Sequence, residues 1–286
     1  MSDTATRAAH AKVNLLLRVL TREEGGYHGI ETLFCRLELA DELGAERRDG
    51  SGITLEVHGA ETGPVEENLA VRAARAALEV IRRPFGVHLT LTKRIPVGAG
   101  LGGGSADAAA ALSAVNQLAG DPIPRPELLH LAARLGADVP FCLAEVPLAL
   151  GWGRGERMLA LPALPPAPVL LLTPGVAVST GEAYTWVDEA RPAAWRRVAL
   201  LLDPGALSRW SDVARMAGND FESAVFGKLP AVRAAFEALA GTHPLLCRMS
   251  GSGSTVFAVY RSERERDDAR DMLGKKHGTV IATRTG

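Results

Sequence analysis

Residues 96–107 read PVGAGLGGGSAD, and five of these twelve are glycine: Gly98, Gly100, Gly102, Gly103 and Gly104. Glycine accepts backbone angles with φ above zero and lets another molecule lie against the main chain. Such a run can turn successive N–H groups inward and make a concave nest for an anion. The segment behind it, AAAALSAVNQL, is alanine-rich and predicts a helix whose positive end faces the same point. Two readings stand side by side: a phosphate cradle, or a flexible turn between a strand and a helix. A Walker A loop is excluded, because Gly104-Ser105 lacks the adjoining lysine. The run holds one G-x-G-x-x-G, at Gly98, Gly100 and Gly103, but no acidic residue ends a strand ~20 residues on, as a dinucleotide site requires.

The elements around this run must make room for it. At 286 residues and 47% apolar, the chain can bury a proper core in one large domain or two. A net charge of −1 offers no field for steering nucleic acid or an acidic membrane, so an anionic ligand must be held by local groups. Cys35, Cys142 and Cys247 are far apart, odd in number and lack metal-ligand spacing, which reads as reduced, buried thiols and a cytoplasmic location. The first ten residues lack the apolar core of a signal peptide, and no run approaches the ~20 apolar residues of a membrane span. The expected partners are therefore small molecules, with neither nucleic acid nor membrane; oligomeric state is left open.

In chain order, 12–20 and 33–39 predict strands, joined by a turn carrying Gly25-Gly26. Alternation at Ile53, Leu55 and Val57 predicts a third strand, and 68–81 a helix capped by Asn68, with Leu69, Ala73, Ala76 and Val80 on one stripe. Residues 87–92 predict a strand leading through Lys93 into the glycine run, where Ser105 is expected as N-cap and Asp107 in the first turn. Residues 127–135 predict a helix closed by a left-handed Gly136, with Pro140 preventing continuation and a strand over 141–150. GWGRG at 151–155 is a turn, and the proline-rich 162–168 is the best boundary. Beyond it come a strand at 169–173, several helices, a glycine-serine turn into a strand within 247–260, a helix at 263–273 and a short final strand. The alternation reads as mixed α/β with two lobes.

At this level of detail the glycine run resembles the phosphate-binding motif of the GHMP kinases. Further blocks resemble the same family: Lys12 within AKVNL, Gly26-Tyr27-His28, Glu31-Thr32-Leu33-Phe34, the segment opened by Asn68, and Leu135 to Pro140. Gly153-Arg154-Gly155-Glu156, Asn219-Asp220 and Ser250-Gly251-Ser252-Gly253 continue it, so the likeness runs from residue 11 to about 257. Ala106 departs from the second serine that many members carry. The Lys12 and Tyr27-His28 blocks point to the branch that phosphorylates the 2-hydroxyl of a cytidine-diphosphate-linked methylerythritol in isoprenoid precursor synthesis.

The resemblance implies an α+β, two-lobed GHMP kinase fold with ATP and substrate in the interlobe cleft. The N-terminal lobe, with the glycine-rich phosphate loop, would be 1–161 and the C-terminal lobe 162–286. It implies ATP and Mg²⁺ as cofactors, held through Pro96, Val97, Gly98, Ala99, Gly100, Leu101, Gly102, Gly103, Gly104, Ser105 and Ala106, with the Ser105 hydroxyl on a phosphate or Mg²⁺. Asn68 and Lys93 would lie near the adenine; as bare residues they read as a helix cap and a strand-end charge. Asp138 would be the catalytic base and Lys12 its partner, against the plain readings of a turn-bonding aspartate and a surface lysine. Tyr27 and His28 would hold the cytosine ring, with Tyr184 stacked on its other face in the segment containing Thr180, and Asn14 would contact the methylerythritol hydroxyls. No metal-ligand cluster among the side chains is expected.

Overall fold

The computed structural model describes residues 3–22, 26–81, 85–191 and 205–286. Gly25, half of the expected first turn, lies outside the described residues. Along the chain run β1 (Thr4–Arg22), β2 (His28–Arg48), β3 (Ile53–His58), α1 (Leu69–Val80), β4 (Gly86–Thr92), α2 (Gly103–Leu118), α3 (Arg125–Leu135), α4 (Val139–Ala144), β5 (Leu148–Gly153) and β6 (Arg157–Leu161). Then follow β7 (Pro168–Thr173), α5 (Thr180–Ala190), α6 (Trp210–Met216), β8 (Gly218–Asn219), α7 (Glu222–Lys228), α8 (Pro230–Ala240), β9 (Leu246–Met249), β10 (Val256–Val259), α9 (Glu263–Leu273) and β11 (Thr279–Arg284). No described helix is long and apolar enough to cross a membrane.

Packing groups the chain into two compact units that interleave along the sequence. The first holds residues 1–12, 39–97 and 102–146; the second holds 13–38, 98–101 and 147–286. The packing therefore does not follow a cut at 161/162, because 13–38, 98–101 and 147–161 pack with the second unit. β1 and β2, at 19 and 21 residues, each feed both units.

In the first unit β3 and β4 are parallel, from Ile53↔Val87 to His58↔Thr92, and α1 supplies the crossover that a parallel pair needs. The far half of β2 pairs antiparallel with β4. Asn68 caps α1 as expected: its Oδ1 accepts from the Ala70 amide at 2.9 Å, and its Nδ2 donates to Thr62 Oγ1 at 3.0 Å. The buried face of α1 is Ala70, Val71, Ala73, Ala74 and Ala77; of the expected stripe Ala73 is fully buried, while Leu69, Ala76 and Val80 are half-buried and pack against the same core. Small residues win that face because α1 lies against α2, whose inner side is Ala106 and Ala108 to Ala111 in the same core. Replacing Asn68 with alanine should cost about 1 kcal/mol in a urea unfolding curve, the loss of one cap bond, with the fold otherwise kept.

Three local expectations change here. β1 begins at Thr4, eight residues before the expected strand: Ala5, Ala9 and Ala11 point inward, and alanine's weak strand preference hides the alternation. Gly136 is not left-handed, with φ 175° and ψ 158°; the chain passes through it in extended form before turning into another helix. That helix, α4, replaces the first part of the strand expected over 141–150. Pro140 sits at its second position, where a missing N–H needs no partner, so the proline opens a helix instead of blocking one. The strand starts only at Leu148.

In the second unit the near half of β2 pairs antiparallel with β5, which forms a hairpin with β6 about a turn at 154–156, so Gly151 to Gly153 of the expected turn are strand instead. β8 lies parallel to β1 through Leu16↔Gly218 and Leu17↔Asn219. A separate antiparallel sheet runs β11-β7-β10-β9, and its Leu170, Leu172, Met249, Val256 and Ala258 meet Val225, Val232 and Leu239 from α7 and α8 in one core. Antiparallel pairing dominates among the described strands, so the class is α+β and not an alternating parallel sheet.

Candidate active site

The glycine loop takes its shape from three left-handed residues spaced by two: Gly98 at φ 67°, Gly100 at 79° and Gly102 at 72°. On the second unit, Ser250 Oγ donates to the Gly100 carbonyl at 2.9 Å and the Thr255 amide to the Ala99 carbonyl at 3.2 Å. A Cβ on Gly100 would stand 2.3 Å from the Ser250 carbonyl oxygen, so this approach is open to glycine alone. On the first unit, a Cβ on Gly102 would stand 2.9 Å from Lys12 Cγ, which seats the loop's end on the lysine stem. A Cβ on Gly98 would meet nothing within 4 Å.

Helix α2 begins at Gly103, so Ser105 is its third residue and not its N-cap, and Asp107 is its fifth. The cap position is Gly102, which has no side chain to bond the first amides. Gly103 and Gly104, read as loop, are the first turn of the helix. An uncapped helix start behind a left-handed glycine leaves amide donors and positive dipole for an anion.

Lys12 from β1 and Asp138, just before α4, are 126 positions apart and meet at 3.1 Å between Nζ and Oδ2. Lys12 is buried, while the Asp138 side chain stays 29% exposed. Asp138 does not cap its own helix, so its carboxylate is not spent on turn amides. The pair is an ammonium held in the protein beside a carboxylate that solvent or a substrate can reach.

Lys93 is buried, and its ammonium pairs with both Asp41 and, at 2.7 Å, Asp107. Asp41 also accepts from the amides of Arg94 and Ile95. Burial pushes the Asp107 carboxyl up to about 7; the Lys93 ammonium pulls the other way, and the Asp41 carboxylate adds to the rise. A carboxyl raised in the folded state holds its proton where the unfolded chain has lost it. Asp107 should therefore make stability fall as pH rises from about 4 towards 7. Thermal unfolding across that range should show a smaller fall in Asp107→Asn.

The second unit holds the residues expected to contact the substrate. Asn14 Nδ2 donates to Thr32 Oγ1 at 2.7 Å, and Thr32 Oγ1 donates to the Leu16 carbonyl at 2.8 Å. His28 is buried, with Nε2 2.9 Å from Asp188 Oδ1, and its ring stacks on Tyr184 at 4.9 Å and 7°. Tyr184 in turn meets Phe221 edge-on at 4.9 Å. One face of Tyr184 is thus covered by His28 itself, where a base was expected to lie. Tyr27 is 57% exposed, with the Arg154 guanidinium 3.8 Å over its ring centroid. Thr180 Oγ1 and Ser252 Oγ are 3.0 Å apart. Asn219 Nδ2 donates to the carbonyls of Met249 and Gly251, at 2.7 and 2.8 Å, and so shapes the glycine-serine turn.

Asp41, Asp188 and Arg154 carry weight here and were given no role from sequence. Asp188 lies one helical turn after Tyr184 on α5, so the same face was legible once Tyr184 was named. Asp41 falls in the apolar phase of β2, with Leu37, Leu43 and Ala45, and an acid in that phase signals a buried cation. Arg154 had no signal beyond its place in a glycine turn.

Comparison with known proteins identifies the family. The family model for the GHMP kinases N terminal domain matches residues 68–145, and that for the GHMP kinases C terminal matches 198–279. A protein of Deinococcus radiodurans named 4-diphosphocytidyl-2-C-methyl-D-erythritol kinase is 41% identical, covering 94% of this chain and 88% of its own. One of the same name from Parvibaculum lavamentivorans is 38% identical, covering 97% and 96%. A crystal structure of 4-(cytidine 5'-diphospho)-2C-methyl-D-erythritol kinase superposes with a TM-score of 0.83 at 37% identity, covering 99% of each chain. A homoserine kinase from Cytophaga hutchinsonii, at 22% identity and a TM-score of 0.75, shares the fold. The chain belongs to the GHMP kinase family, among members that carry the cytidyl-alcohol kinase name.

Proposed function

We propose that this chain is an ATP-dependent kinase that phosphorylates the 2-hydroxyl of 4-diphosphocytidyl-2-C-methyl-D-erythritol, a step of non-mevalonate isoprenoid precursor synthesis. The observation that carries it is the Lys12–Asp138 pair at 3.1 Å, with Lys12 packed under the last left-handed glycine of the phosphate loop. Phosphoryl transfer passes through a loose transition state, so placement and charge neutralisation supply most of the catalysis.

ATP with Mg²⁺ supplies the phosphoryl group and offsets part of its charge. Residues 96–106 would hold its phosphates, chiefly through the amides at the start of α2 and the Ser105 hydroxyl. Among the described residues no three His, Cys, Asp or Glu side chains are grouped to hold a metal. Mg²⁺ takes most of its oxygens from phosphate and water, so the nucleotide itself would carry it. Asn68 and Lys93 are assigned to the adenine side. The Asn68 amide is spent on its cap and the Lys93 ammonium on two carboxylates, and both backbone N–H groups are bonded within the chain, so an adenine contact would fall to their apolar stems.

The Asp138 carboxylate accepts the proton of the attacking hydroxyl, and the Lys12 ammonium steadies the carboxylate and the charge that builds on the transferring group. Tyr27, His28, Tyr184 and Thr180 would recognise the cytidine end and Asn14 the methylerythritol hydroxyls. With Nε2 engaged by Asp188, the His28 ring is fixed for hydrogen bonding through its remaining nitrogen. Seating a base against Tyr184 would require the tyrosine's other face or a shift of His28. Lobes of 1–161 and 162–286 belong to this reading, and the two family models fall on either side of that cut. A cytoplasmic location accords with the three free thiols.

A panel of acceptor alcohols tests the assignment. The cytidyl alcohol should show the highest kcat/KM, by about 10³ over homoserine and mevalonate, because their lack of a base leaves the recognition groups unused. Turnover of homoserine or mevalonate with none of the cytidyl alcohol would overturn it.

A further inference from the structure

We propose that Asp41, Lys93 and Asp107 form a buried clasp that sets the two ends of the glycine loop, which makes Asp41 and Asp107 positioning residues for nucleotide phosphates. The inference rests on the loop's role in the proposed function. The loop leaves β4 after Lys93 and enters α2 at Gly103, and its left-handed glycines give it little stiffness of its own. Ser250 and Thr255 hold its middle, and its two ends need anchors of their own.

The clasp supplies both. On the entry side, one Asp41 oxygen accepts from the amides of Arg94 and Ile95, the latter at 2.8 Å, and the other accepts from the Lys93 ammonium. On the exit side, the same ammonium donates to Asp107 Oδ2 at 2.7 Å, on the second turn of α2. A Cβ on Gly103 would stand 3.4 Å from Lys93 Nζ and 3.1 Å from Ile95 Cγ2, so the ammonium sits directly beneath the first helical residue. The strand end, the ammonium and the helix start form one unit of structure.

Stability alone is a poor account of this group. All three side chains are less than 5% exposed, and two carboxylates face one ammonium. Such buried sets return little net stability, because desolvation offsets their attraction. Asp107 Oδ1 is buried with no hydrogen-bond partner, an added cost that a purely stabilising contact would avoid. What the arrangement does supply is fixed geometry at the place where phosphate oxygens would meet the helix.

The test compares Asp107→Ala with Asp107→Asn in the full chain. Binding of ADP by calorimetry, KM for ATP and for the cytidyl alcohol, and thermal unfolding are all read. Alanine unties the helix from Lys93 and should weaken ADP binding about tenfold, with KM for the alcohol within about twofold. Asparagine keeps an oxygen for the Lys93 ammonium and should restore ADP binding to within about threefold of wild type. The clasp is refuted if the alanine variant binds ADP like wild type, or if both variants lose affinity in step with lost thermal stability. ADP binding needs no acceptor alcohol. A wild type that binds ADP and ignores the cytidyl alcohol would sink the proposed function and leave the clasp standing.

Discussion

Asp138→Asn should lower turnover by about 10²-fold or more while ADP affinity stays within about threefold of wild type. The amide matches the carboxylate in size and leaves the α4 start undisturbed, since the Asp138 side chain makes no cap bond there. It cannot take a proton from the hydroxyl, and it removes the charge that faces Lys12 at 3.1 Å. Because Asp138 is partly exposed and asparagine keeps an oxygen that can accept from the Lys12 ammonium, the stability loss should be about 1 kcal/mol. Steady-state turnover beside ADP calorimetry separates the two effects. Unchanged turnover would remove Asp138 from the mechanism, and matching losses of ADP binding and turnover would make it a structural residue.

Gly100→Ala should be the most damaging single methyl addition in the loop, costing about 3 kcal/mol and most of the nucleotide affinity. The added Cβ would stand 2.3 Å from the Ser250 carbonyl oxygen and 2.8 Å from that of Gly253, so backbone has to move on both sides. It would also carry an L-residue at φ 79°. Gly98→Ala is the control. Its φ of 67° imposes the same left-handed strain, but the Cβ meets nothing within 4 Å. That variant should lose only about 1 kcal/mol. Urea unfolding of the pair isolates the contact from the strain. Equal losses would show that the approach to the 250–253 turn is loose.

Much of the structure around the candidate site was legible because its signals are local. Glycine spacing marks the loop, Asn68 marks a helix start, and Lys12, Tyr27 and His28 stand in short recognisable blocks. What escaped depends on partners distant in sequence. The Lys93 ammonium reads as a strand-end charge until Asp41, 52 positions away, comes into contact with it. Pro140 reads as a stop because a proline at a helix's second position and one that ends a helix look alike in sequence. Ser105 looked like a cap because two glycines before it imply loop, yet Gly103 and Gly104 are helical once Ile95 and Leu69 pack against them. The interleaved units were hidden for a related reason. β1 and β2 are continuous strands, and nothing in their composition marks the residue where one set of neighbours gives way to another.

The most direct test of the account is the product of one reaction: purified protein, ATP, Mg²⁺ and 4-diphosphocytidyl-2-C-methyl-D-erythritol, followed by ³¹P NMR. The expected spectrum shows a new phosphomonoester on the 2-hydroxyl growing in step with ADP, and Asp138→Asn slows both by about 10²-fold or more. ADP formed without the ester, or neither formed while ADP still binds, would contradict a kinase acting on this alcohol.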